Sequence, residues 1–450
     1  MGSCLSLDAE NDDDDDLSYF PTSLDSSMRV KKGSKGCKHQ QVITNGSCCV
    51  ASLFTQQGKK GTNQDAMLVC ENFGSREDTV FCGVFDGHGP LGHVIAKKVR
   101  DSLPSKLIAK WNRIVADDLH ANSPSLDEEE PRAPIDNRPK VVENTQIFKI
   151  LYDSFRDAFK KMDGELKQHH YNDCFCSGTT AVTLVKKGRK LVIGNIGDSR
   201  AVLGRRDKNG CLKAVQLTID LKPNLPNEEK RIKKYRGRVF ALRNEPDVAR
   251  VWLPNHLSPG LAMARAFGDF CLKDYGLIST PEITHRCLTE SDEFIVLATD
   301  GIWDVLSNKE VVDIIASSQT SSSAALSLVK SAVQAWKSKY STSKIDDCAV
   351  VCLFLDDNAD SKKSIASHSH RENTETNSGL SNSSETKNGN ANPSNVIALQ
   401  LPAQPSCDGD ETETEETDEW SALEGVSRLN TLLTLPKFVG QDKNDLLLQE

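Results

Sequence analysis

Short apolar runs, each bounded by glycines and polar turns, recur along the middle of the chain. Short runs rich in β-branched and aromatic side chains are typical of strands. The predicted strands are residues 50–54, 66–71, 79–85, 178–185, 190–196, 200–204, 293–299 and 348–355. Because these strands come in groups rather than in strict alternation with helices, the pattern predicts an α+β domain with antiparallel sheets.

Apolar residues at helical spacing predict helices elsewhere. The predicted helices are residues 93–111, 145–170, 227–235, 307–315 and 324–338. Pro104 predicts a bend or break in the first helix, because proline cannot donate the helical hydrogen bond. Ser307 with Glu310 predicts a capping box at the start of the fourth helix. The acidic, proline-rich residues 112–144 predict a surface insertion.

Both ends of the chain lack a periodic apolar pattern, which predicts disorder. The predicted organisation is a disordered N-terminal segment at 1–47, one folded domain at 48–356 and a disordered acidic C-terminal tail at 357–450. Within the tail, residues 420–435 regain some apolar side chains. They predict either a short docking segment or a weakly structured tail end.

Composition and charge exclude several classes of protein. The chain has 450 residues and a net charge of −9, so bulk attraction to nucleic acid is not expected. The longest apolar run, residues 348–355, is far shorter than the about 20 residues that cross a membrane. Without a secretory signal, we predict a cytoplasmic protein whose 14 cysteines are thiols, with no structural zinc site.

Aspartates stand where several predicted strands begin or end. Asp86, Asp198 and Asp300 follow strands, whereas Asp65 and Asp346 precede them. Taken singly, an Asp-Gly pair predicts only a turn. Taken together, carboxylates at neighbouring strand ends repel one another, and divalent cations neutralise such a cluster. All-oxygen ligation suits Mg²⁺ or Mn²⁺ better than zinc.

A pair of such ions predicts phosphoryl chemistry. Two ions ~3.5–4 Å apart can hold and deprotonate a water and stabilise both ends of an in-line displacement. Hydrolysis of a phosphate ester also requires a proton for the leaving oxygen. His88 lies two residues after Asp86 and is the candidate general acid, because histidine exchanges protons near neutral pH. The alternative is a turn histidine without a chemical role.

Six motifs resemble those of the protein phosphatase 2C family, the metal-dependent serine/threonine protein phosphatases. They are FDGHG at residues 85–89, SGTTAV at 177–182, IGDSRAVL at 196–203, LAMARAFGDF at 261–270, ATDGIWDVLSN at 298–308 and DDCAVV at 346–351. The motifs occur in the family's order, and the chain is most similar to the plant branch. The resemblance implies a β-sandwich of two antiparallel sheets flanked by helices, with disordered N- and C-terminal extensions outside it.

The resemblance also implies a metal site with two ions. Asp86 would bridge two Mg²⁺ or Mn²⁺ ions, and the Gly87 carbonyl would bind one of them. Asp300 and Asp346 would hold the other ion, and Asp65 would orient metal-bound water. The implied substrates are phosphoserine and phosphothreonine proteins, hydrolysed directly by that water without a phosphoenzyme.

Other matching residues take supporting roles in the resemblance. Asp198 and Asp304 match the residues of the family's third, weaker metal site, and His88 matches its general acid. Asp347 is the less favoured ligand, because the family's ligand usually precedes an Asn-like residue and Asp347 fills that second place.

Two positions depart from the family pattern. The family usually has Arg five residues before the position of Asp65 and Glu immediately before it, where this chain has Lys60 and Gln64. Arginine clamps phosphate with two hydrogen bonds, whereas lysine offers a point charge. We therefore expect Lys60 to act on phosphate, with weaker binding than arginine provides. The departures keep open a second function, a catalytically weak scaffold that binds phosphoproteins at a membrane.

Residues 230–243 form a basic segment, which in the family is a flap beside the active site. Its basic residues are Lys230, Arg231, Lys233, Lys234, Arg236, Arg238 and Arg243. Such a flap would select acidic phosphopeptides; a solvated helix face is the alternative. Sparse aromatic side chains argue against nucleic acid as a partner.

The first six residues, MGSCLS, match the N-myristoylation pattern, with Gly2 as the acceptor. One myristoyl chain binds membranes only marginally, so a second signal is required. Cys4 is a candidate for S-acylation, and the basic stretch at 29–38 adds attraction to anionic lipid, which the acidic run at 12–16 opposes. These features predict peripheral association with the plasma membrane; a chance match is the alternative. The oligomeric state stays open.

Overall fold

The computed structural model describes residues 40–121, 140–340, 344–355 and 432–433. Gly2 and Cys4 lie outside these ranges. The strands are β1 (Gln41–Ile43), β2 (Gly46–Ser47), β3 (Ala51–Gln56), β4 (Asp65–Glu71), β5 (Thr79–His88), β6 (Gly178–Thr179), β7 (Ala181–Lys187), β8 (Lys190–Ile196), β9 (Arg200–Arg206), β10 (Leu212–Gln216), β11 (Arg238–Phe240), β12 (Arg250–Trp252), β13 (Gly260–Leu261), β14 (Phe267–Gly268), β15 (Glu282–Cys287), β16 (Asp292–Ala298), β17 (Cys348–Phe354) and β18 (Leu432–Leu433). The helices are α1 (Gly92–Ala121), α2 (Lys140–His169), α3 (Pro226–Lys234), α4 (Phe270–Lys273), α5 (Asp300–Trp303), α6 (Asn308–Ser317) and α7 (Ala324–Lys339).

Two antiparallel sheets form a sandwich. The first sheet has the order β1-β4-β5-β7-β8-β15, and the second has the order β10-β9-β16-β17-β3-β2. Neighbouring strands along both orders pair in the antiparallel sense. The predicted α+β class, with a sandwich of two antiparallel sheets flanked by helices, is confirmed.

Alternation along the strands divides the apolar core into layers. Met67 of β4 packs between the two sheets, whereas its neighbour Leu68 packs against α1 and α2. In the second sheet, Val351 of β17 faces the same space between the sheets, and Val350 packs against α6 and α7. Because successive strand residues point to opposite faces, near-continuous apolar strands are required when both faces are covered. The layers are therefore a helix pair, a sheet, a sheet and a second helix pair.

The first long helix differs from its prediction. It runs unbroken through Pro104, and α2 begins earlier than predicted, so residues 112–121 and 140–144 are helical rather than part of an insertion. Leu103 and Leu107 of α1 are fully buried. Burying a leucine contributes about 1.5–3 kcal/mol, so the two together offset the about 3 kcal/mol that an interior proline costs.

Two predicted strands also differ in their bounds. The predicted strand at 178–185 is divided at Thr180, whose amide and hydroxyl bond the backbone of Asp86. Both parts, β6 and β7, pair with β5, but on the other side β6 pairs with β14 and β7 with β8. The fold also begins before the predicted residue 48, since β1 pairs with β4 and β2 pairs with β3. The capping box predicted at Ser307 and Glu310 is present at the start of α6.

A small third sheet follows α3 and has the order β11-β12-β13-β18. Its first strand, β11, lies within the basic segment at 230–243. Its last strand comes from the C-terminal tail: Leu432 and Leu433 pair with Leu261 and Gly260. This described part of the tail is a paired strand, as the docking interpretation of residues 420–435 predicts.

The cysteines within the described ranges are free thiols. In those same ranges, no helix has the length and apolar character needed to cross a membrane.

Candidate active site

The aspartates singled out in the sequence meet at one edge of the sandwich. The register of β4 and β5 places Asp65 opposite Asp86. Asp300 opens α5 directly after β16, and Asp346 precedes β17, the antiparallel partner of β16. Asp198 follows β8 in the turn to β9. We call the aspartates at this edge, namely Asp65, Asp86, Asp198, Asp300, Asp304 and Asp346, the aspartate cluster.

Burial and mutual repulsion perturb the carboxylates of the cluster. Burial raises the pKa of Asp86 well above its ordinary value, and the charges of Asp300, Asp65 and Asp346 raise it further. Burial also raises the pKa of Asp300 and of Asp65, and the Asp346 charge adds to both shifts. These mutual effects show that the structure brings the four side chains into one electrostatic neighbourhood.

Asp198 and Asp304 lie at the side of the cluster next to Lys222. Burial raises the pKa of Asp304 to about 6, the positive charge of Lys222 opposes this rise, and the Asp198 charge adds to it. Lys222 forms an ion pair with Asp198 Oδ2. Asp198 Oδ1 is buried with no hydrogen-bond partner among the described residues. The pair predicted for a weaker metal site is therefore assembled, with a lysine beside it that sequence reasoning missed.

Lys60 lies on the other side of the cluster, where its Nζ is 2.5 Å from Asp346 Oδ2. Burial lowers the pKa of Lys60, but the charges of Asp346, Asp300 and Asp86 raise it more. The side chain is therefore an ammonium ion among carboxylates. The role of Lys60 in binding phosphate stays a prediction.

The donor set fits hard divalent cations. Carboxylates that burial and like charge make costly to ionise are stabilised by a cation, and all the donors are oxygens. The Gly87 backbone is closely packed, since a Cβ there would lie 2.4 Å from the Gly92 carbonyl oxygen. Within the described ranges, no three or more His, Cys, Asp or Glu side chains are already arranged to hold an ion. The lysines Lys60 and Lys222 instead neutralise two of the carboxylates.

Asp347 has a different role from its neighbour Asp346. Its Oδ1 accepts from the Gly58 amide at 2.7 Å, and its Oδ2 accepts from the Gln64 amide at 2.8 Å. Both oxygens thus tie the loop before β4 to β17. This arrangement leaves Asp346 as the better-placed metal ligand of the two.

Gln64 fastens the FDGHG segment. The side-chain Nε2 of Gln64 donates to the Gly89 carbonyl at 2.9 Å, and the backbone carbonyl of Gln64 accepts from the Gly87 amide at 3.2 Å. A glutamate could not donate the first of these hydrogen bonds when ionised. The departure from the family pattern at this position therefore supplies a donor that shapes the turn after His88.

His88 is the last residue of β5, not a turn residue, and it pairs with a residue that sequence reasoning missed. Its Nε2 lies 2.6 Å from Asp269 Oδ2, and both side chains are buried. Asp269 has φ 52°, a left-handed conformation that aspartate tolerates better than most residues. β6 joins the two, because it pairs with β5 on one side and β14 on the other. The signal available in the sequence was the Asp that precedes the last residue of the LAMARAFGDF motif.

Part of the basic segment has structural partners. Arg231 pairs with Glu228 at 2.7 Å and donates to the carbonyls of Ala264 and Gly276. Arg238 donates to two backbone carbonyls after β12. These arginines therefore hold the flap together. The segment's function as a substrate-selecting surface stays a prediction for its remaining basic residues.

Comparisons with known proteins agree with this geometry. The family model described as Protein phosphatase 2C matches residues 51–343. Probable protein phosphatase 2C 33 of Arabidopsis thaliana is 50% identical over 98% of this chain and 99% of its own length. Probable protein phosphatase 2C 66 of Oryza sativa subsp. japonica is 51% identical over 90% of this chain and 84% of its own. The crystal structure of serine-threonine phosphatase 2C from Toxoplasma gondii has a TM-score of 0.59 and 26% identity, covering 70% of this chain and 99% of that chain.

Proposed function

Because this chain belongs to the protein phosphatase 2C family of serine/threonine phosphatases, we propose that its aspartate cluster holds two divalent metal ions for phosphate hydrolysis. The family is metal-dependent in general, and its activity implies phosphoprotein substrates. The observation that carries the proposal is the buried carboxylate cluster, whose members perturb one another's pKa. Mg²⁺ or Mn²⁺ suits it, because its donors are carboxylate and carbonyl oxygens.

The ligand assignments are those that the resemblance to the family implies. Asp86, the Gly87 carbonyl, Asp300 and Asp346 would hold the two ions. Asp198 and Asp304 would hold a third ion more weakly. When bound, the ions supply an activated water and neutralise the charge of the phosphate.

The chain's own residues position the reactants. The Thr299 hydroxyl donates to Asp65 Oδ2 at 2.8 Å, which orients this carboxylate to accept a hydrogen bond from the attacking water. The ammonium group of Lys60 attracts the phosphate. His88 donates a proton to the leaving oxygen through Nδ1, because its Nε2 faces Asp269. Membership of the family favours phosphatase activity over the catalytically weak scaffold.

The proposal is tested by phosphate release from a phosphothreonine peptide. We expect activity with Mn²⁺ or Mg²⁺, loss of activity in EDTA, and recovery when the metal is added back. Circular dichroism in EDTA serves as the control, because a folded but inactive protein separates metal chemistry from unfolding. Full activity in excess EDTA would contradict the proposal.

We also propose that the protein is cytoplasmic and is attached to the plasma membrane through myristoylation of Gly2 and S-acylation of Cys4. The pattern MGSCLS supports both modifications, and two acyl chains give the stable binding that one does not.

Gly2→Ala is expected to move the protein from the membrane fraction to the soluble fraction of plant cells. The reason is that alanine at this position cannot be myristoylated. Cell fractionation with immunoblotting measures the distribution, and Ser3→Ala, which keeps the pattern, is the matched control. Equal distributions of wild type and Gly2→Ala would rule out the acyl anchor.

A further inference from the structure

Two cysteines meet beside the His88–Asp269 pair. Cys176 Sγ lies 3.5 Å from Cys271 Sγ. Cys176 stands two residues before β6, the strand that joins His88 to the Asp269 segment, and Cys271 lies in α4, two residues after Asp269. The two thiols are therefore in contact with each other, and each is close in the chain to a segment that contacts His88, the proposed proton donor.

The backbone holds the two cysteine segments together. The Asp269 amide donates to the Ser177 carbonyl at 3.0 Å, and the Cys271 amide donates to the Phe175 carbonyl at 3.0 Å. Because these bonds flank both cysteines, the sulfur contact belongs to a fixed arrangement of the two segments.

The two thiols differ in exposure and in acidity. Cys176 is half-buried and can meet a small oxidant, whereas Cys271 is buried. Their mutual hydrogen bond lowers the pKa of Cys176, although burial opposes this effect. The same hydrogen bond and burial raise the pKa of Cys271, which stays protonated. An accessible thiol of lowered pKa, 3.5 Å from a second sulfur, is the arrangement of a redox-active cysteine pair.

Other cysteines in the described ranges lack this combination. Burial raises the pKa of Cys70, Cys174 and Cys352 to about 12, so these three remain thiols. Cys211 and Cys287 are exposed, and the structure gives neither a sulfur partner within its described residues.

We propose that Cys176 and Cys271 are a modification site that forms a reversible disulfide with a hydroperoxide as the oxidant. Cys176, as its thiolate, attacks one peroxide oxygen and the O–O bond breaks. The hydroxide released takes up the proton that the Cys176 thiol lost, so a sulfenic acid and one water result. The Cys271 sulfur then attacks the sulfenic sulfur, the S–O bond breaks, and the second water leaves with the thiol proton. Two thiols and one hydrogen peroxide thus become one disulfide and two waters.

The disulfide acts on the active site through the two segments. The sulfurs must approach from 3.5 Å to about 2.05 Å. This movement pulls on Ser177, whose Oγ accepts from the Leu91 amide at 3.0 Å, and on Asp269, which contacts His88 at 2.6 Å. We therefore expect lower phosphatase activity in the oxidised protein. This consequence rests on the proposed function, whereas disulfide formation does not.

The test oxidises the full chain in EDTA with hydrogen peroxide, removes the peroxide with catalase, and maps cysteine links by mass spectrometry without reduction. We expect one cross-linked peptide pair that joins Cys176 to Cys271 and disappears with dithiothreitol. Activity on a phosphothreonine peptide is then measured with Mn²⁺ added back. We expect about a tenfold or larger fall in kcat, reversed by dithiothreitol, because a general acid contributes ~10²–10⁴-fold.

Variants separate this pair from other oxidation sites. Cys176→Ser and Cys271→Ser should keep the activity of the reduced protein and resist peroxide, whereas the control Cys287→Ser should remain sensitive. Absence of the cross-link, or peroxide sensitivity in Cys271→Ser equal to that of the wild type, would overturn the proposal. A cross-link without loss of activity would overturn its effect on the active site. An inactive reduced protein with metal present would instead refute the phosphatase proposal and leave the cross-link readout intact.

Discussion

Asp86→Asn is expected to lower metal-dependent phosphate release by about 10³-fold or more. Asp86 lies at the centre of the aspartate cluster, where Asp300, Asp65 and Asp346 all act on its pKa. Under the proposed metal site, removing this charge should weaken the binding of both ions, and metal ions contribute several kcal/mol of transition-state stabilisation. Each 1.36 kcal/mol corresponds to about a tenfold change in rate. Initial rates on a phosphothreonine peptide with Mn²⁺ measure the effect.

Thermal unfolding provides a second readout for this variant. Metal binding to the folded state raises the midpoint of unfolding, so we expect Mn²⁺ to stabilise the wild type. Asp86→Asn should unfold at a higher temperature than the wild type in EDTA, because one repelling charge is gone, and should gain little from Mn²⁺. Asp101→Asn is the matched control, because the Asp101 side chain is 61% exposed and pairs with Arg100 rather than with the aspartate cluster. Wild-type activity in Asp86→Asn would contradict the assignment of the metal site.

Asp269→Asn is expected to lower kcat for a phosphothreonine peptide by about 10²-fold. Asp269 is a positioning residue that contacts His88 Nε2 at 2.6 Å in a buried site. Asparagine can present either oxygen or nitrogen to the ring, so the orientation and the protonated nitrogen of His88 are no longer set. The size follows from the ~10²–10⁴-fold contribution of general acids.

The leaving group distinguishes this role from a structural one. p-Nitrophenyl phosphate releases a phenolate that is stable without a proton, so its hydrolysis should be much less impaired by Asp269→Asn. Asp274→Asn, at the end of the same short helix and exposed, is the control and should behave as the wild type. Equal losses on both substrates would show that Asp269 serves the fold or the metal site rather than His88.

Much of the fold followed from local patterns. Residues 190–196 were predicted as a strand and form β8. Ser307 and Glu310 form the predicted capping box. Pro104 does not break α1, because burial of the helix's apolar side chains offsets the cost of an interior proline. The pairing of Leu432 and Leu433 with β13 joins residues distant in the chain, and local pattern does not specify such a pairing.

Some residues of the candidate site could likewise be predicted from the sequence, whereas others required the tertiary structure. Asp86, Asp300 and Asp346 could be identified from the sequence, because each lies within a recognisable motif and next to a predicted strand. The partner of His88 could not, because 181 residues separate it from Asp269 and only the tertiary pairing of β5, β6 and β14 brings them together.

The sequence by itself determined the strands, most of the helices, the family and the carboxylates at the strand ends, because these depend on short-range periodicity and on motifs. The tertiary structure alone decided which charges share the low-dielectric edge of the sandwich. It placed Lys60 and Lys222 against the carboxylates, gave the Asp347 carboxylate two backbone amide donors, and set Cys176 against Cys271. Electrostatic and covalent chemistry depend on distances of a few ångströms, and only the packed fold sets those distances.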